Sequence, residues 1–259
     1  MGRFTVRRTS AALAASALIV GLSAGPAGAW PPDVGASRDY AATRSGDVSF
    51  TVIGPKGNAY GWRGSRAVPL ASTVKVMFMV AYLRMPSVRD RDLRPSDREL
   101  LGPMIKRSDN LAATRVSEIV GARRLYALAN VAGMDHFHFV PHPWGLSSDT
   151  SGEEARFMFR LERYIPDRHE AYARYLLAHI VPSQRWGIGR LHHDKWKLFF
   201  KGGWGSGTGA VEHQIAFLER GDLRIAAAVM ITNSPSHDYA KVTLEGVFRV
   251  LLRHLPVPD

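Results

Sequence analysis

The chain has no cysteine in its 259 residues. Disulfides, thiol nucleophiles and thiolate metal sites are therefore excluded, and the fold must rest on its core alone. No acid occurs before Asp33, and no apolar run beyond the first 29 residues is long enough to cross a bilayer. The start itself has another pattern. Arg3, Arg7 and Arg8 precede an apolar run from Ala11 to Leu22, and Ala27-Gly28-Ala29 supplies a small-x-small site. This predicts an export signal over residues 1–29, cleaved after Ala29, with 30–259 as one domain. Arg7-Arg8 raises the twin-arginine route, although the following residues match that signal poorly. The expected product is secreted or held in the cell envelope, without stable membrane insertion.

Hydrophobic residues make up 46% and charged residues 22%, ordinary values for a globular domain with a large core. Net charge is +11, and +8 without the three signal arginines. Such a surface favours anionic polymers. Yet the basic residues, as in Arg84, Arg89, Arg91, Arg94 and Arg98, are spread out among acids and read as a solvated face. No groove-reading motif is present, so nucleic acid is not an expected partner.

Residues 30–46 are polar and read as a loose segment. Val48, Phe50 and Val52 alternate along a strand, a Gly/Pro turn follows, and Ala59–Trp62 returns as a hairpin. From Ser72 the period becomes helical (Val76, Met77, Val80, Leu83) until Pro86. Ser96 with Glu99 has capping-box spacing for a helix after Pro95. Two amphipathic helices follow, over 111–120 and 123–132. Residues 134–149 read as loop. Thr150-Ser151 caps a helix to Tyr164, and another covers 167–180. Strands return at 197–201, 214–218 and 225–232, and a helix over 239–254 closes the chain. Strands thus flank a helical middle, which predicts a mixed α/β (α+β) fold: an antiparallel sheet lobe with terminal helices, plus an all-helical lobe over about 67–195.

Three short runs carry chemistry. Ser72 and Lys75 in Ser-Thr-Val-Lys share a helix face. A serine hydroxyl needs a base, and a lysine can serve if burial lowers its pKa. A helix N-terminus also offers N–H groups to an oxyanion. The same pair fits a plain amphipathic helix. Ser108-Asp109-Asn110 precedes a helix, where these residue types are also preferred caps. Lys201-Gly202-Gly203 ends a strand; it suits either a hairpin turn or a bare edge that pairs with a substrate backbone.

The order S-x-x-K, S-D-N, K-x-G resembles the class A β-lactamases and penicillin-binding proteins. Pro69–Val76 is similar to their nucleophile helix, Ile105–Ala113 to their second motif, and Ser148–Ser151 to the segment after their Ω loop. The resemblance implies Ser72 as nucleophile and Lys75 as acylation base. Ser108 would carry a proton to the leaving nitrogen, and Asn110 would hold a side-chain amide of the substrate. Lys201 would bind the substrate carboxylate. The N–H groups of Ser72 and Trp204 would form the oxyanion hole, with Gly203 beside them. It also implies a cofactor-free monomer acting on β-lactams or peptidoglycan-type peptides.

Two departures stand out. The stretch 137–147 holds no Glu, Asp, Asn or Gln, so the Ω-loop glutamate that clears the acyl-enzyme is missing, and Glu153 and Glu154 read as first-turn helix residues. Gly202 stands where the family usually has Thr or Ser, so a hydroxyl for the substrate carboxylate is lost unless Ser206 or Thr208 supplies it. The expectation is an exported serine hydrolase with doubtful clearance. A penicillin-binding-like peptidase or esterase, or a non-catalytic binding module, is the alternative. His136, His138, His142, His192, His193 and Asp194 invite a metal reading, but alternate histidines around an aromatic fit a surface loop better. Of the tryptophans, Trp144, Trp186 and Trp196 read as core, while Trp204 should line a cleft.

Overall fold

The computed structural model describes residues 1–2, 30–191 and 195–256. Residues 3–29, which carry most of the predicted export signal, and the His192–Asp194 triplet lie outside the described residues.

The sheet is built from both ends of the chain. β1 (Asp47–Ile53), β2 (Ala59–Trp62), β5 (Lys197–Gly205), β6 (Val211–Arg220) and β7 (Leu223–Thr232) form five antiparallel strands in the order β2-β1-β7-β6-β5. β1 and β7 read as apolar runs because both faces of the sheet are covered. On one face lie α1 (Val34–Ala42) and α7 (His237–Leu251). On the other lies α5 (Ser151–Phe159), preceded by β4 (Ser148–Thr150), which pairs with β3 (Ala67–Pro69). The helical part between the strands comprises α2 (Lys75–Leu83), α3 (Pro95–Lys106), α4 (Asn110–Ala132) and α6 (Asp167–Ala178). α2 is buried along its whole length, as a helix without a polar face must be.

Most of the expected elements are present, with shifts that have local causes. α4 is two helical pieces that meet at Gly121, whose backbone is at φ 69°, as the two separate periodic stretches required. α3 begins one residue before the expected box: Asp97, not Glu99, caps it, accepting the N–H of Arg94 at 2.7 Å. Thr150 caps α5 by accepting the N–H of Glu153 at 3.1 Å. The segment 30–46 is a correction. It is not loose: α1 starts at an Asp33 cap on the N–H of Ala36 and packs on α7. Its small, weakly patterned residues hid a helix that depends on tertiary packing.

The edge strand β5 positions the site. Every second N–H and C=O of an edge strand points away from its partner. Here β5 lies against the short turn Ala71–Val74, which opens into α2.

Candidate active site

Ser72 lies within that 3-10 turn, three residues before the first residue of α2, and is 8% exposed. Three ties hold the turn. Leu70 N–H donates to Ser147 O at 2.7 Å, and Thr73 Oγ1 donates to Leu70 O at 2.8 Å. The buried His213 on β6 donates from Nε2 to Pro69 O at 2.8 Å and accepts the N–H of Ile231 on Nδ1 at 3.0 Å. Burial lowers His213 to about 4, so it serves as a neutral strut. Ala71, just before Ser72, has φ 49°. A non-glycine residue held left-handed stores strain, and strain of this kind concentrates at functional sites.

Lys75 is fully buried, and its Nζ meets Ser108 O at 2.6 Å, Asn110 Oδ1 at 2.8 Å and Ser108 Oγ at 3.1 Å. Lys201, equally buried, approaches the same Ser108 Oγ at 3.0 Å and donates to Gly202 O at 2.6 Å. One hydroxyl thus bridges two amines. Ser108 is itself left-handed, at φ 56°, which turns its side chain into the gap while Asp109 caps α4 on the N–H of Ala112. Burial brings Lys75 down to about 7, against an upward pull from Asp109. Burial and the nearby Lys75 hold Lys201 well below the lysine range. Two neighbouring cations in a dry site are unfavourable, so at least one amine is neutral near pH 7.

Gly203 is the point of closest approach. A Cβ there would lie 2.8 Å from Leu70 O, Ser72 N and Thr73 N. Only glycine lets β5 lie flat on the turn that carries Ser72. Gly202 differs: a Cβ would make ordinary contact with Trp186 at 3.7 Å, so the missing hydroxyl is not a steric necessity. Thr208 does not replace it toward the cleft, since its Oγ1 donates to Gly205 O at 3.1 Å. Trp204 is half-buried and meets Trp186 edge to face at 4.9 Å.

The structure therefore gathers Ser72, Lys75, Ser108, Asn110, Lys201, Gly203 and Trp204 along one seam between β5, α2 and the start of α4. Glu153 and Glu154 belong to the first turn of α5, and neither carboxylate is bonded within this seam. Glu153 accepts the N–H of His136 at 3.0 Å and meets His136 Nδ1 at 2.6 Å, beside a cavity lined by β2. Glu154 is buried with both oxygens unpartnered. Burial and Glu153 push Glu154 up to about 8, and burial with the Glu153 hydrogen bond pushes Asp149 up to about 10. No cluster of three or more metal-ligating side chains is found among the described residues.

Trp144 was expected in the core and is a correction. Its ring centroid lies 4.8 Å from Lys75 Nζ, its edge meets Phe78, and its Nε1 donates to Thr114 Oγ1 at 3.0 Å. The stretch 137–147 thus brings an indole, not an acid, over Lys75. His213, Glu212 and His237 were also missed as neighbours of the site. Nothing local marks them; the β5–β6–β7 register and the start of α7 bring them in.

No protein-family model and no curated protein matches the chain in sequence. The fold is nonetheless that of the class A β-lactamases. A β-lactamase from Sphaerobacter thermophilus superposes with TM-score 0.73 at 20% identity, covering 85% of this chain and 95% of that one. An ancestral class A β-lactamase gives 0.73 at 18% identity, over 85% and 98%. A double mutant of the enzyme of the last common ancestor of Gram-negative bacteria, bound to a nitrobenzotriazole transition-state analogue, gives 0.72 at 18%, over 85% and 97%.

Proposed function

We propose that this chain is an exported serine hydrolase that forms an acyl-enzyme at Ser72 with β-lactams or related activated amides and esters. The observation that carries the reading is the Ser108 hydroxyl held between the Nζ atoms of Lys75 and Lys201 at 3.1 and 3.0 Å.

Neutral Lys75 takes the Ser72 proton as Oγ attacks the carbonyl carbon. The carbonyl π electrons move to oxygen, and the N–H groups of Ser72 and Trp204 stabilise the oxyanion. The intermediate collapses, the C–N bond breaks, and the leaving nitrogen takes a proton through Ser108 from the Lys75 ammonium. Lys201 holds the Ser108 hydroxyl in line. Asn110 fixes Lys75 and offers its amide to the substrate.

Clearance is a different matter. Trp144 covers Lys75 with an apolar ring, and 137–147 supplies no carboxylate to activate water. Acylation is expected to outrun hydrolysis, so the adduct accumulates. The same observation favours the second reading, a module that traps or senses its ligand without turnover. A fluorescent penicillin followed by intact mass separates the readings. Label on Ser72 that decays marks a hydrolase; label that persists marks a trap. Absence of label on the folded protein refutes both acyl-enzyme readings.

A further inference from the structure

A cavity of about 370 Å³ opens beyond Trp204, lined by Trp204, Gly205, Glu212, Ser234, Ser236 and His237 together with small apolar residues. It borders the seam on the side of Lys201 and Ser108, the groups that serve the leaving nitrogen in the proposed reaction. Lys201 Nζ, which holds the proton-carrying Ser108, is also 5.7 Å from the Trp204 ring centroid, and that ring forms the cavity wall.

The floor is an acid. Glu212 is 1% exposed, accepts the Trp186 indole N–H at 2.9 Å on Oε1, and meets His237 Nδ1 on Oε2. Whichever partner holds the proton, the Glu212–His237 pair carries no net charge. Among the described residues, the cation that bears on this pair is Lys241. It donates to Asp238 at 3.1 Å and lies 5.2 Å from the Trp186 ring. On the far side, Lys201 is committed to Ser108 and Gly202. A ligand carboxylate in this cavity would find an acid facing it and no unpaired cation. Burying an anion unpaired is costly.

We propose that this cavity is the subsite for the leaving side of the acyl donor and takes an uncharged group, so that carboxylate-free esters and amides react in preference to the corresponding free acids. This rests on the Ser72 acyl-enzyme reading. It departs from the carboxylate role that resemblance implied for Lys201. The apolar lining from Ala210, Val211, Pro235 and Ala240 suits an alkyl or aromatic ester group.

The test uses benzylpenicillin and its methyl ester, which share one reactive ring and differ in one charge. Second-order rates of Ser72 labelling are read by intact mass. The ester is expected to label about tenfold faster or more, since the acid must leave water for a cavity that offers it no free cation. Burial raises Glu212 to about 8, so the gap should widen as pH passes 8 and Glu212 ionises, and in Glu212→Gln, which keeps both hydrogen bonds, that widening should be lost. Faster labelling by the acid overturns this inference alone. A ratio that widens equally with pH in folded Glu212→Gln overturns the part given to Glu212. If neither compound labels Ser72, the acyl-enzyme reading fails and takes this inference with it. Should the variant not fold, the wild-type ratio still decides.

Discussion

Lys75 gives the sharpest handle on the chemistry. Burial lowers it from 10.5 to about 7, some 3.5 units. At about 1.4 kcal/mol per unit, the site disfavours the ammonium by about 5 kcal/mol. Near pH 7 about half of the molecules then hold a neutral base, whereas a solvent-exposed lysine would be neutral in roughly one molecule in three thousand. The acylation rate should therefore rise through an apparent pKa of about 7 and level off above it. Asn110→Asp tests the cause. It puts a carboxylate where Oδ1 now lies 2.8 Å from Nζ. An opposite charge at that distance raises a lysine pKa by about 1–3 units. The rising limb should move up by that amount, and the rate at pH 6 should fall about tenfold or more. Asn110 is exposed at the start of α4, so the variant should fold. The assay is the initial rate of adduct formation by intact mass from pH 5 to 9. A flat wild-type profile, or an Asn110→Asp profile that coincides with it, would refute Lys75 as the base.

Other consequences follow from single contacts. Gly203→Ala forces a Cβ to 2.8 Å from three backbone atoms of the nucleophile turn. It should lower stability by about 1–3 kcal/mol in denaturant titration and slow labelling far more than that loss explains. Trp144→Ala opens space over Lys75; the persistent adduct should decay several-fold faster, as followed by loss of label. Glu154 is pushed up from 4.5 to about 8 by burial, then Glu153. Its contribution to stability is complete below about pH 4.5 and lost as pH rises to about 8, a change on the order of 5 kcal/mol. Glu154→Met should flatten that decline and stabilise the protein at pH 8, read by urea midpoints at both pH values.

How much of this was legible in the sequence depended on range. β1, β7, α2 and α7 announce themselves because period and burial agree over whole elements. Ser72, Lys75, Ser108 and Lys201 could be picked out because each sits in a short run with its own local geometry: a helix start, a cap, a strand end. The meeting of Lys75 and Lys201 at the Ser108 hydroxyl could not be read, since it needs β5 laid on the turn that carries Ser72. Trp144 looked like core because its loop gives no period, and only the short path to Ser148 brings it over Lys75. Glu212 and His237 were invisible for a related reason. Trp186, Glu212 and His237 are about 25 residues apart each, and only strand register joins them. α1 was missed because its stability comes from α7, not from its own residues.

The most direct test of the central claim is the intact mass of the protein and of Ser72→Ala after exposure to a penicillin methyl ester. The account predicts a single adduct of the full ester mass, since ring opening loses no atoms, on Ser72 of the wild-type chain and none on Ser72→Ala. A folded wild-type chain that gains no mass, or a Ser72→Ala chain that gains the same mass, would contradict it.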